Sequence, residues 1–188
     1  MVIAREKYMR TSYFTNPLLL VLVMAKVDVA HAEVLDAAAG GFTTSHSVEI
    51  SATRHVVYES LVSDVGKWWN SDHTVSGSAA NMHISARSQG CFCEVLGDGA
   101  GVVHMTVTFA NPGVMLRMTG GLGPLGLMGV AGNMTFEIEE TEGVSSVTLQ
   151  YAVGGYMPGG LDKIAPPVDG VLVDVLDRLK GFVEGDKE

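Results

Sequence analysis

Between Asn133 and Val153 the chain reads NMTFEIEETEGVSSVTLQYAV, two alternating runs on either side of a Glu142-Gly143 turn. A period of two puts every second side chain on the same face of a strand. Centring the turn on residues 141–144 sets Phe136 opposite Leu149, Ile138 opposite Val147 and Met134 opposite Tyr151. Each of these pairs is apolar, while Glu137, Glu139, Thr148 and Gln150 share the other side. Such a hairpin has one dry and one wet face, and the dry face needs a cover. The cover lies downstream. After Pro166-Pro167, residues Val168, Val171, Leu172, Val175, Leu176, Leu179 and Phe182 form an apolar stripe, with Asp169, Asp174, Asp177, Arg178 and Lys180 on the opposite side. Prolines fit the first turn of a helix. The spacing therefore predicts a long amphipathic helix over roughly 166–184, packed on the dry face of a sheet.

The segment before the hairpin supplies more strands. Twenty-three glycines against six prolines imply many turns and short elements. Strands are expected at residues 46–51, 82–87, 91–96, 102–109, 114–119, 133–140 and 147–153, with turns at Gly97-Asp98-Gly99 and Asn111-Pro112-Gly113. After the first strand, Thr53 is a fair N-cap for a helix with Val56, Val57, Leu61 and Val65 at helical spacing. Gly66 breaks or bends it, and Lys67-Trp68-Trp69 starts a second short helical turn. The expected class is α+β: a curved antiparallel sheet of about seven strands, two short helices after the first strand, and the long helix last. Residues 46–188 form this domain and 33–45 read as a linker.

The first 32 residues have another character. Arg5, Lys7 and Arg10 precede an apolar stretch, Leu18 to Ala25, too short to span a bilayer, and Ala30-His31-Ala32 offers the small-x-small pattern of a cleavage site. Residues 1–32 are read as a signal peptide cleaved after Ala32, which implies a periplasmic or secreted protein. An uncleaved anchor and a mis-assigned start codon are the alternatives. The formal net charge is −9, and no Lys/Arg cluster follows the leader. An acidic chain repels phosphate backbones and anionic membrane surfaces, so nucleic acid is excluded as a partner, as is stable membrane insertion once the leader is removed.

One set of residues suggests chemistry. A turn centred on Gly99 places Glu94 opposite His104. A turn centred between Asn111 and Pro112 pairs Arg117 with Thr106, on the face of His104. Glu94, His104 and Arg117 would then form one cluster, with Arg117 gripping an acidic head group and His104, oriented by Glu94, acting as a base. The alternative is a solvated salt-bridge cluster on the outer face. Trp68, Trp69 and Tyr151 are candidates for core packing or ligand stacking, and Tyr156, in GGYMPGG, for a gate. The run GGLGPLGLMGVAGN contains G-x-G-x-x-G, but no helix follows, so it is no dinucleotide site. It reads as an apolar crossing loop or as a mobile lip of Leu122, Leu125, Leu127 and Met128 over a pocket.

Cys91 and Cys93 point to one face if their segment is a strand. A disulfide at that spacing in a regular strand is strained, and two ligands do not make a zinc site. They read as small apolar strand residues, with an oxidised pair or an intermolecular bridge as the exported-protein alternative. The six histidines are scattered without helical pairing, so neither metal nor cofactor is expected.

The segments DVGKWW (64–69), GCFCE (90–94), HMTV (104–107), LRMTGGLGPLG (116–126) and LQYAVGGYMPGGLDKIAPPVDGVL (149–172), in this order, resemble the SRPBCC, or START-like, superfamily, in the branch related to activators of heat-shock-protein ATPase. The resemblance covers roughly residues 46–184. It implies a helix-grip fold, in which the sheet curls around the last helix and leaves a deep pocket for a lipid, polyketide, hormone or aromatic compound. The expected function is an exported binding protein for a hydrophobic or amphipathic small molecule. The alternatives are a cyclase- or hydrolase-like enzyme using His104 and Glu94, and a protein-interaction module of the ATPase-activator kind. Trp68, Trp69, Glu94, His104, Arg117, Leu125, Met128, Tyr151 and Tyr156 are the candidate ligand contacts.

Overall fold

Among the described residues, eight strands form a single antiparallel sheet, and the long helix lies on its dry face. The computed structural model describes residues 33–185; the proposed signal peptide, 1–32, lies outside them. The strands are β1 (Glu33–Ala38), β2 (Gly41–Ile50), β3 (Met82–Ile84), β4 (Cys91–Gly97), β5 (Ala100–Asn111), β6 (Met115–Gly120), β7 (Gly129–Thr141) and β8 (Val144–Tyr156). The helices are α1 (Arg54–Ser63), α2 (Val65–Trp68) and α3 (Ala165–Glu184). The sheet order is β1-β2-β8-β7-β6-β5-β4-β3. This is a helix-grip architecture, with one strand more than expected.

The extra strand corrects the linker reading. Residues 33–45 hold β1, a tight turn and the start of β2, and Ala38 pairs with Gly41. The alanines and glycines of DAAAGG conceal a strand because they carry little of the alternation that identifies one. The β7–β8 hairpin has the expected register, with Phe136 on Leu149, Ile138 on Val147 and Met134 on Tyr151. All six side chains are at most 3% exposed.

Helix α1 starts where expected but by another device. Thr53 occupies the N-cap position without a side-chain cap bond. The Arg54 amide is capped instead by the Glu140 carboxylate at 2.9 Å. Its buried face is Val57, Tyr58, Leu61 and Val62, while Val56 faces out. In α3 the buried face is Ala165, Asp169, Leu172, Val175, Leu176 and Leu179. Asp169 was expected on the wet side. It lies inward because it accepts a 2.7 Å bond from His46 Nε2 on β2, itself 3% exposed. Each fully buried leucine of this stripe contributes about 1.5–3 kcal/mol over exposure.

Two glycines shape one end of the dry face. Across the sheet, Val153, Gly132, Gly120 and Met105 form one inward row. A Cβ at Gly132 would lie 2.6 Å from the Ala152 carbonyl and 2.7 Å from the Tyr151 ring. The hollow at Gly132 therefore seats that ring. Gly132→Ala should lower stability by about 1–3 kcal/mol through overpacking, read as a drop in the urea midpoint with unchanged m-value; an unchanged midpoint would refute the close fit.

Candidate functional site

The sequence-predicted cluster is partly assembled. Glu94 and His104 meet, with Glu94 Oε2 3.0 Å from His104 Nε2 and the two residues only 1% and 5% exposed. They meet because β5 is bulged. Phe92 pairs with Met105 and Cys93 with Val103, so His104 is the extra residue between them. Regular alternation would put His104 on the outer face with Thr106; the bulge turns it inward beside Met105. The Phe92 ring lies 5.6 Å from the His104 ring, tilted by 45°, and Trp69 packs edge-on against Phe92 at 5.0 Å.

Arg117 is elsewhere. The β5–β6 turn centres on Gly113, which sets Arg117 opposite Phe109, and a second bulge, between Val107 and Phe109, gives Thr106 to Thr119. Its neighbours Leu116 and Met118 point inward at 0% and 1% exposure, so Arg117 points out. Its Nε donates to Thr135 Oγ1 at 3.2 Å, beside Glu137, Thr148 and Gln150 on the wet face. The three-residue cluster is corrected to a pair.

Glu94 is tied from three sides. The Val75 amide donates to Oε2 at 2.9 Å, the Ser76 amide to Oε1, and His104 completes the shell. Burial acts to raise its pKa, but the bonds from Ser76, Val75 and His104 outweigh burial and hold the carboxyl at about 2. A carboxylate this acidic orients the imidazole and stays ionised; it is no proton acceptor near neutrality. It also pins the 70–80 loop over the pair. The folded-state value lies below the ordinary 4.5. The resulting stabilisation is full above pH 4.5 and disappears as pH falls through about 2. Glu94→Gln should cost about 1–3 kcal/mol at pH 7, and the gap from wild type should close between pH 4.5 and 2. Urea titrations across that range check this; a pH-independent gap would contradict it.

The remaining candidates divide. Trp68 and Trp69 are buried at 3% and 5%, each with its indole N–H bound to a backbone carbonyl, of Ser60 and His73. Leu125 is buried and Met128 partly exposed, while Leu127 and Tyr156 stand in solvent at 92% and 73%. Tyr151 is fully buried, and its hydroxyl donates to Gly120 O at 3.1 Å and accepts from Leu122 N at 3.2 Å. It ties down the lip that follows β6, where residues 123–127 form a 3-10 turn.

The space expected to hold a ligand is occupied by side chains. Tyr151, Leu149, Met118, Met134, Leu172 and Leu176 are each at most 3% exposed. A cavity of about 450 Å³ opens instead on the wet face, over the row Asp36, Thr43, Ala152, Asn133 and Thr119. The sequence reading missed the interior polar group Thr44, His46 and Asp169, with Thr44 Oγ1 3.5 Å from His46 Nε2. The available signal was the inward parity of Thr44 and His46 with Phe42. The cysteines also depart from expectation. Cys91 and Cys93 are bonded to each other on the wet face, with Cα atoms 5.4 Å apart.

Tyr151→Phe deletes both lip bonds and should cost about 1–3 kcal/mol. Amide exchange at Leu122–Leu127 should quicken more than exchange in the β7–β8 hairpin. Equal protection in the two proteins would show that the hydroxyl is no tether.

No family profile and no curated protein matches the chain. Solved structures do. A conserved protein of unknown function from Enterococcus faecalis superposes with a TM-score of 0.56 at 15% identity, over 81% of this chain and 77% of that one. DynU16, from the dynemicin biosynthetic locus, gives 0.54 at 17% identity over 77% of this chain; the match spans 48% of DynU16. The Aha1 dimer from Colwellia psychrerythraea gives 0.52 at 16% identity, over 78% and 98%. Likeness at these identities concerns the fold, and the fold is the helix grip.

Proposed function

We propose that this protein binds an amphipathic small molecule between the sheet and α3, entering at the end closed by the Tyr151-tethered lip. The observation that carries the reading is the make-up of that end. Met105, Met118 and Met134 lie on adjacent strands β5, β6 and β7, all 1% exposed, beside the hollow of Gly120 and Gly132. Methionine is unbranched and repacks cheaply. A plug of methionines and one tyrosine under a short lip can yield to an apolar body where a jigsaw of branched residues could not. His104, held by Glu94, stands on β5 next to Met105 and gives the polar end of a ligand a partner. The described conformation is the closed one.

Two further parts of the reading rest on sequence features. The 1–32 leader supports export, and the ordered motifs support the ATPase-activator-related branch. DynU16's place in a biosynthetic locus fits a small-molecule role. An oriented imidazole also supports a second reading, a hydrolase- or cyclase-like activity at the same place, with His104 as the base.

Native mass spectrometry of the protein from its own host should show one small molecule per chain. 1-Anilinonaphthalene-8-sulfonate should bind saturably, faster in Leu125→Ala, and the native ligand should displace it. A bare mass together with non-saturable dye emission would overturn the reading. Conversion of the bound compound by wild type, lost in His104→Gln, would establish the enzymatic version.

A further inference from the structure

The face of the sheet turned away from α3 carries a second cluster, independent of the interior. Cys91 and Cys93 on β4 flank the inward Phe92, so both sulfurs lie on the wet face. On edge strand β3, His83 pairs with Cys93. One donor atom from each of His83, Cys91 and Cys93 lies within 4.8 Å of the others. His83 is exposed, Cys91 half-buried and Cys93 buried. The three thus form a shallow cup at the open edge of the sheet.

We infer that this cup is a redox-gated site for a thiophilic monovalent cation, copper(I). Two thiolates and an imidazole form a soft, three-donor set, and soft sulfur ligands favour copper(I). Structural zinc takes four protein ligands in a tetrahedron. The next residues across β5, Val103 opposite Cys93 and Thr106 opposite Cys91, offer no strong fourth donor. A three-coordinate ion fits the residues present. The edge position leaves the ion within reach of a partner that delivers or removes it.

The gate is the bond between the sulfurs. While Cys91 and Cys93 are joined, neither sulfur is a thiolate. A dithiol reductant opens the pair: one of its thiolates attacks a cysteine sulfur, its second resolves the mixed disulfide, and it leaves as its own disulfide. Two electrons and two protons pass to Cys91 and Cys93. Binding of copper(I) then displaces both thiol protons, giving a site with net charge −1. The reverse exchange, in which the oxidised form of that dithiol takes both electrons back with two protons from water and leaves Cys91 and Cys93 joined, would release the ion.

The test uses the full chain, reduced with a phosphine and then titrated anaerobically with copper(I) against bicinchoninate. The reduced protein should take one copper(I) per chain, with X-ray absorption showing two sulfurs and one nitrogen. The disulfide form should take none. Cys91→Ser and Cys93→Ser should lose the site. His83→Ala should keep the stoichiometry and weaken binding by about tenfold or more, at least what loss of an outer-shell partner does. His83 is exposed on an edge strand, so this variant reports even if a cysteine variant misfolds. The inference fails if reduced protein ignores copper(I), if the disulfide form binds it equally, if the serine variants retain it, or if zinc(II) binds and copper(I) does not.

Discussion

Everything in this fold depends on the burial of one face of a curved sheet against one helix. Each strand from β2 to β8, apart from the short β3–β4 edge, sends alternate apolar side chains inward, and α3 meets them with Leu172, Val175, Leu176 and Leu179. The non-directional hydrophobic term sets the layers, and backbone pairing sets the register. Once the layers are formed, chemistry can occur in two places: groups forced to lie inside, and groups displayed on the wet face.

Inside, two imidazole–carboxylate pairs interrupt the apolar packing, Glu94–His104 and His46–Asp169. Buried pairs of this kind seldom outperform a well-packed apolar core. Glu94 makes its position tolerable by collecting amide donors from the 70–80 loop, and so converts a liability into a loop anchor. The Tyr151 hydroxyl does the same for the lip after β6. The 70–80 loop is held by the two carboxylate oxygens of Glu94 and the lip after β6 by the Tyr151 hydroxyl. A few hydrogen bonds, each worth about 1 kcal/mol net, separate the closed end from an open one.

How much was legible follows from how local each signal is. Residues 133–153 and 166–184 declared themselves through their periods, and the β7–β8 register followed from turn geometry. The Glu94–His104 pair was legible as a pair, but for the wrong reason. Regular pairing brought the two residues opposite each other in principle, whereas a bulge at His104 brings them together in fact. The same arithmetic failed for Arg117, because the β5–β6 turn centres on Gly113 and the bulge at His104 turns the imidazole away from the face that Arg117 shares with Thr106. The strand at 33–38 escaped notice because Val34 and Leu35 are adjacent and the alanines after Asp36 carry no stripe. Asp169 was assigned by charge to the wet face, and only His46 on a neighbouring strand explains its inward place.

The sequence by itself determined which faces are dry, because alternation and helical spacing are local and repeat along the chain. It thereby determined that the dry face of a sheet packs on the last helix, and the inward Met134, Phe136, Ile138, Val147, Leu149 and Tyr151. Only the tertiary structure decided which polar groups share the interior, that the space beside α3 is filled by methionines and Tyr151, and that His83 joins Cys91 and Cys93. These depend on bulges and on strands far apart in sequence. A one-residue bulge reverses a side chain's face while leaving the local hydrophobic pattern almost unchanged.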